Sequence, residues 1–133
     1  MLTQMGIRNF ALIEQMTIPF TDGITIFTGE TGAGKSILMD AFSILLGERA
    51  SSEFIRHGKD NFVIDGVFDI ADNQPLLDLL EEKNIVVEEG QLILSRSFSR
   101  AGKSSILAND QAIPLKALRE IGAYLADIHG QYS

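Results

Sequence analysis

The chain has 133 residues, 45% of them hydrophobic, a length that holds one core and not two comfortable domains. Its 11 Lys and Arg against 18 Asp and Glu give a formal net charge of −7, which opposes nonspecific nucleic-acid binding over the surface as a whole. Cysteine is absent, which excludes disulfides and thiolate metal sites, and no apolar run reaches the roughly 18 residues of a membrane span. The start, "MLTQMGIRNF", has neither the charged segment nor the cleavage site of a secretory leader, so a cytoplasmic setting is the expectation.

Leu2 to Arg8 and Leu12 to Ile18 read as two strands, with the polar pair Arg8-Asn9 as the break between them. Asp22-Gly23 is a turn signal, and Ile24 to Phe27 is a short β-prone run. From Lys35 the period changes: Ile37, Leu38, Ala41, Phe42 and Leu45 fall on one helical face, and Gly47 ends the helix. Phe62 to Ile70 alternates as a half-buried strand, with Asp65 and Asp69 on its outer side. "QPLLDLLEEKN", Gln74 to Asn84, is a short amphipathic helix with Pro75 in its first turn. "QLILSRSF" and "SSILAND" are strands, Asn109-Asp110 is a turn, and "QAIP" returns beyond it. Pro114 then opens a last helix. Its stripe Leu118, Ile121, Leu125 and Ile128 either packs on the chain's own sheet or stands uncovered. Strands, helix, then more strands and helices make a mixed α/β domain.

Gly29-Glu30-Thr31-Gly32-Ala33-Gly34-Lys35-Ser36 fits G-x-x-x-x-G-K-[ST], between a β-prone run and an amphipathic helix. Glycines let the backbone approach phosphates, and free N–H groups at the helix start supply an anion site. Lys35 can reach the β and γ phosphates as a point charge, and Ser36 can offer a hydroxyl to Mg²⁺. Read as an idle Gly-rich turn, the stretch leaves a lysine where a first helical turn prefers acids. The second GKS triplet, Gly102-Lys103-Ser104, lacks the earlier glycine, Ser97 standing in its place, and reads as a polar β-turn. Its neighbours Arg96, Arg100 and Lys103 form a small basic cluster on a solvated loop.

Phosphoryl transfer also needs a metal-holding acid, usually at the end of a buried strand, and a group that positions water. Asp65, Asp69, Glu88 and Glu89 read instead as solvated carboxylates, and His57 and His129 have no ligand-spaced partner. Gln131 offers an amide oxygen just past the last helix, within reach of a metal or water. No residue is assigned a catalytic role.

Residues 1–50, together with "LILSRSFSRAGKSSILANDQAIPLKALREIGAYLADIHGQYS", resemble the amino-terminal part of the RecN family of bacterial DNA repair proteins, relatives of the SMC ATPases. The resemblance implies an ABC-type head that binds ATP and Mg²⁺, with a coiled coil later in the chain and two heads closing over two nucleotides during double-strand-break repair. It makes Gly29, Glu30, Thr31, Gly32, Ala33, Gly34, Lys35 and Ser36 the Walker A loop, with Ser36 and Gln131 near the metal. Arg8 and Asn9 then border the nucleotide, and Arg49 approaches phosphate or DNA. The signature motif, the Walker B acids and their glutamate are missing. Residues 1–133 are therefore expected to be a partial P-loop head, an amino-terminal lobe with a mixed β-sheet and the P-loop helix. Such a piece binds Mg-ATP without hydrolysing it. Its implied partners are the rest of the head and coil, a second head in a homodimer, and DNA through the full protein, in a cytoplasmic, nucleoid-associated setting and away from membranes. Two other classes stay open: an interaction domain of P-loop outline without nucleotide, and a small P-loop kinase, which would need a lid arginine pair and a metal acid.

Overall fold

Strand β1 (Leu2–Phe10) runs two residues further than its polarity suggests, because it has to deliver Phe10 to the core. Phe10 is fully buried, stacked on Phe54 at 5.0 Å and edge-on to Phe62 at 5.1 Å. Arg8 and Asn9 therefore belong to β1, and the turn into β2 (Ile13–Pro19) lies at Ala11-Leu12. Asn9 and Ala11 both take positive φ (54° and 53°) to make that turn. Polarity alone was the wrong guide to the break.

The computed structural model describes residues 1–20 and 32–129, with side chains for 1–20 and 36–125. After β2 come α1 (Gly32–Leu45), β3 (Asn61–Asp69), α2 (Gln74–Glu82), β4 (Gln91–Ser99), β5 (Ser104–Ala108), β6 (Gln111–Ala112) and α3 (Leu115–His129). The strands form one sheet in the order β2-β1-β3-β4-β5-β6, and every pairing among the described residues is antiparallel. The α/β class holds. The run Ile24–Phe27, whose pairing would make the sheet mixed, lies outside the described residues.

Alternation sorts the sheet into two faces. Phe62, Ile64 and Phe68 of β3 are sealed off, beside Leu92, Leu94 and Arg96 of β4 and Ile106 and Ala108 of β5. Val63, Asp65 and Val67 stay half-exposed on the other face. α1 covers the inner face with Leu38, Ala41, Ile44 and Leu45, and Leu45 comes so close to β3 that Gly66 has no room for a Cβ. Leu118, Ile121 and Leu125 of α3 are fully buried in the same cluster, so this part of the stripe is covered within the chain. Packing is the outcome for these three residues, and the side chain of Ile128 lies outside the described ones. α2 opens on an Asn73 cap and Pro75, and it joins α3 through a Lys83–Glu120 ion pair at 2.9 Å.

Candidate functional site

The phosphate motif straddles the edge of the described residues. Gly29, Glu30 and Thr31 lie outside them, while Gly32 to Ser36 form the opening of α1. The helix starts at Gly32 rather than beyond Gly34, so the second half of the motif is itself the first helical turn. That turn contains no acid to offset the positive end of the helix. Such an end attracts an anion through its free N–H groups. Ser36 is exposed, and Gln131 lies outside the described residues.

Arg8 pairs in register with Gln15 and Val63, which puts it on the outer face, away from α1. Asn9 is half-buried and its carbonyl accepts the Arg56 N–H at 2.9 Å, while Arg56 Nη1 donates to Leu12 O at 2.6 Å. Among the described residues no hydrogen bond links Arg8 or Asn9 to α1. Asn9 here ties the β1–β2 turn to the segment that follows Phe54, and Arg8 is exposed.

The acids stand apart. Asp65 lies over the backbone of Gly6, so close that a Cβ there would meet its Oδ1 at 2.7 Å. Asp69 accepts the Ala71 N–H at 3.2 Å, and Glu88, Glu89 and His57 are exposed. Among the described residues no three His, Cys, Asp or Glu side chains gather where they could hold a metal ion.

The other end of α1 holds what the sequence reading missed. Gly47 (φ 115°) closes the helix, with Gly47 N–H bonding Ile44 O at 3.1 Å and Glu48 N–H bonding Ser43 O at 3.0 Å. Arg96 then reaches in from β4, its Nη1 donating to Ile44 O at 2.6 Å and to Glu48 O. Arg119 of α3 adds Nε to Gly47 O at 3.2 Å. Cations at this end complement the helix dipole. Arg96 is only 2% exposed, which corrects its placement in a solvated basic cluster. Burial first, and the neighbouring Arg119 charge second, push its guanidinium pKa below the ordinary arginine value. The signal was available: Leu92, Leu94, Arg96 and Phe98 share one phase of an alternating strand.

The remaining members of that cluster also resolve. Arg100 donates through Nε and Nη2 to Lys59 O, at 3.2 and 2.9 Å. Gly102 (φ 89°) makes the β4–β5 turn, where Ser99 Oγ accepts the Lys103 N–H at 3.0 Å, so the second GKS triplet is the polar turn expected of it. Arg49 is exposed just past α1.

Comparison with known proteins adds three findings. The model of the AAA domain family matches residues 4–111, which include the whole phosphate motif. The DNA repair protein RecN of Bacillus subtilis (strain 168) is 44% identical over 132 residues, covering 99% of this chain and 23% of that protein. RecN of Vibrio cholerae serotype O1 is 36% identical over 133 residues, covering 100% and 24%. This chain thus spans about a quarter of the length of the curated relatives it matches. Among solved structures, a chain from work on ATP-driven dimerization and DNA-stimulated activation of SMC ATPases superposes with a TM-score of 0.70 at 19% identity, covering 92% of this chain and 78% of that one. At that identity the likeness shows the fold, which is that of an SMC-type head in part.

Proposed function

The chain belongs to the AAA domain family and is a homologue of the amino-terminal part of bacterial RecN, and from that premise we propose that it is the ATP-binding part of a DNA double-strand-break repair ATPase. The observation that carries the reading is a complete G-x-x-x-x-G-K-[ST] motif whose second half opens a 14-residue helix free of acids in its first turn. In this reading Gly29 to Ser36 wrap the phosphates of Mg-ATP, Lys35 neutralises the β and γ groups, and Ser36 and Gln131 hold the metal and its water. The family resemblance sets Arg8 and Asn9 at the border of the nucleotide, although Arg8 stands on the outer face of β1 and Asn9 at its turn. Residues 1–133 form one amino-terminal unit of the head. The remaining head and coil, a second copy, and DNA are the partners of the whole protein, in the cytoplasm beside the nucleoid.

Titration with Mg-ATP, wild type beside Lys35→Ala, tests the binding step. The variant is expected to bind at least roughly tenfold more weakly, the loss of one charge-assisted contact to phosphate. Equal affinity in the two proteins, or binding by neither, defeats the reading and favours an interaction domain of the same outline.

Hydrolysis is a separate matter. Asp65 lies on the outer face and Asp69 at a turn, so neither of these strand carboxylates is aimed at the start of α1. Preorganised electrostatic stabilisation is commonly the largest catalytic term, and phosphate binding supplies part of it. Steady-state phosphate release by the 133-residue chain is therefore expected to match the Lys35→Ala control. Turnover above that control would show a catalytic group within these residues.

A further inference from the structure

Three loops meet at one end of the sheet. Phe10 bridges to Ile55, Asn61 pairs with Ser99 and Phe98 with Ser104, so register gathers the β1–β2 turn, residues 52–60 and the β4–β5 turn. These loops carry Arg56, Lys59, Arg100 and Lys103, with Arg8 just inside them on the outer face. Five of the 11 Lys and Arg therefore stand at this rim. Residues 69–89, by contrast, hold seven acids with Lys83 as their only cation, which accounts for nearly all of the net −7. β3 runs from the rim to that acidic stretch, nine residues or about 30 Å. That is several times the roughly 8 Å over which physiological salt screens exposed charges.

The rim is held in place and open. Arg56 donates through Nη1 to Leu12 O at 2.6 Å, and Arg100 donates its N–H to Asp60 O at 2.7 Å and its guanidinium to Lys59 O. The loops are thus tied to one another. At Gly58 and Gly102 a Cβ would meet nothing within 4 Å, so both turns face open space. In a chain with 18 acids, none of the five cations has a carboxylate within ion-pair distance, since Lys83–Glu120 is the one ion pair among the described residues. Leu12 stands in the same rim at 80% exposure, the most exposed large apolar side chain among those described.

Cations without carboxylates around an exposed leucine complement the reverse pattern, carboxylates around an apolar side chain. Carbonyls already orient the Arg56 and Arg100 forks, and a fork held in this way loses little freedom on taking a carboxylate. A long, regular run of phosphates fits less well. Exposed Glu14, Glu53 and Asp60 interrupt the cations, and Leu12 would find no apolar partner on a phosphate backbone.

We propose that this rim docks an acidic protein segment with an apolar side chain among its carboxylates. The apolar group lies on Leu12, and the carboxylates take Arg56, Lys59, Arg100 and Lys103. The contact needs no nucleotide and is independent of the ATP-binding reading.

Amide-shift titrations of the 133-residue chain at low salt test it. Separate arms use a short peptide alternating Asp and Leu, an oligo-aspartate of equal length, a peptide alternating Lys and Leu, and a short DNA duplex. Saturable shifts at Leu12, Gly58, Lys59, Gly102 and Lys103 are expected with the Asp–Leu peptide. Oligo-aspartate lacks the apolar half and is expected to bind roughly fivefold more weakly. Changing Lys59 and Lys103 together to Gln alters two exposed side chains, and it should weaken the Asp–Leu peptide roughly fivefold. Leu12→Ser should erase its advantage over oligo-aspartate. Four results overturn the proposal: no saturable shift at these residues, the Lys–Leu peptide or oligo-aspartate binding as tightly as the Asp–Leu peptide, the double Gln variant binding as well as wild type, or the duplex binding the rim more tightly than the peptide, which would make nucleic acid the partner.

Discussion

Arg96 sets two opposing effects against each other at a single residue. Its guanidinium caps two carbonyls at the end of α1, and charge-assisted bonds of this kind contribute about 1.5–3 kcal/mol each. Against that stands the cost of taking a cation out of water, which can exceed the gain when part of the group is unpaired. The remaining N–H without an acceptor adds to the cost, yet removing the whole side chain would take this donor from Glu48 O and leave Ile44 O with the Gly47 N–H alone. Arg96→Met is therefore expected to lower stability by about 1–3 kcal/mol, read from urea unfolding midpoints. No loss would mean that desolvation cancels the cap. Gly122 gives a cleaner case. A Cβ there would sit 2.0 Å from Leu46 O, a backbone atom that cannot swing aside. Alanine would gain about 1 kcal/mol in helix propensity. The clash exceeds that, because α1 and α3 would have to part. Gly122→Ala is expected to cost about 2–3 kcal/mol net, and an unchanged midpoint would show that the two helices can separate freely.

Among the elements, the β5–β6 hairpin depends most on one side chain. Asn109 and Asp110 both take positive φ (48° and 68°), the pairing a two-residue hairpin favours. Asn109 also accepts the Ile93 N–H at 2.7 Å and donates to Val86 O and Gln91 O, tying the turn to β4 and to the loop before it. Asn109→Ala removes those bonds and penalises the backbone, so a loss of about 2 kcal/mol is expected by thermal or urea unfolding. The turn itself was legible in Asn109-Asp110, and the same holds for the alternation of β3 and the Gly47 helix end, because each is a local rule written within a few residues. The break at Arg8-Asn9 was not legible, since what extends β1 is the burial of Phe10 against Phe54 and Phe62, partners distant in sequence. Arg96 was legible by phase but hidden by its charge, which pointed to solvent. Its carbonyl partners, like the fit of Gly122 on Leu46, exist only once α1, β4 and α3 have met.

For the molecule as a whole, charge decides what it can bind unaided. The net charge is −7, and the three cations that read as one small basic cluster on a solvated loop are dispersed by the fold. Arg96 is buried, Arg100 is exposed but held against Lys59 O, and Lys103 stands exposed in its turn. Affinity for duplex DNA rises with the number of phosphates a surface neutralises, through release of condensed counterions. A surface with a few scattered cations in this region, on an acidic protein, releases few counterions. Duplex binding by the 133-residue chain at about 50 mM salt is therefore expected to be weaker than roughly 100 µM, below the usual nonspecific range. A fluorescence anisotropy titration measures it. Micromolar binding that weakens when Arg100 and Lys103 are both changed to Gln would show that the hairpin tip carries a cationic surface after all. Micromolar binding indifferent to that change would place the contact elsewhere on the chain, and either result would contradict the expectation drawn from charge.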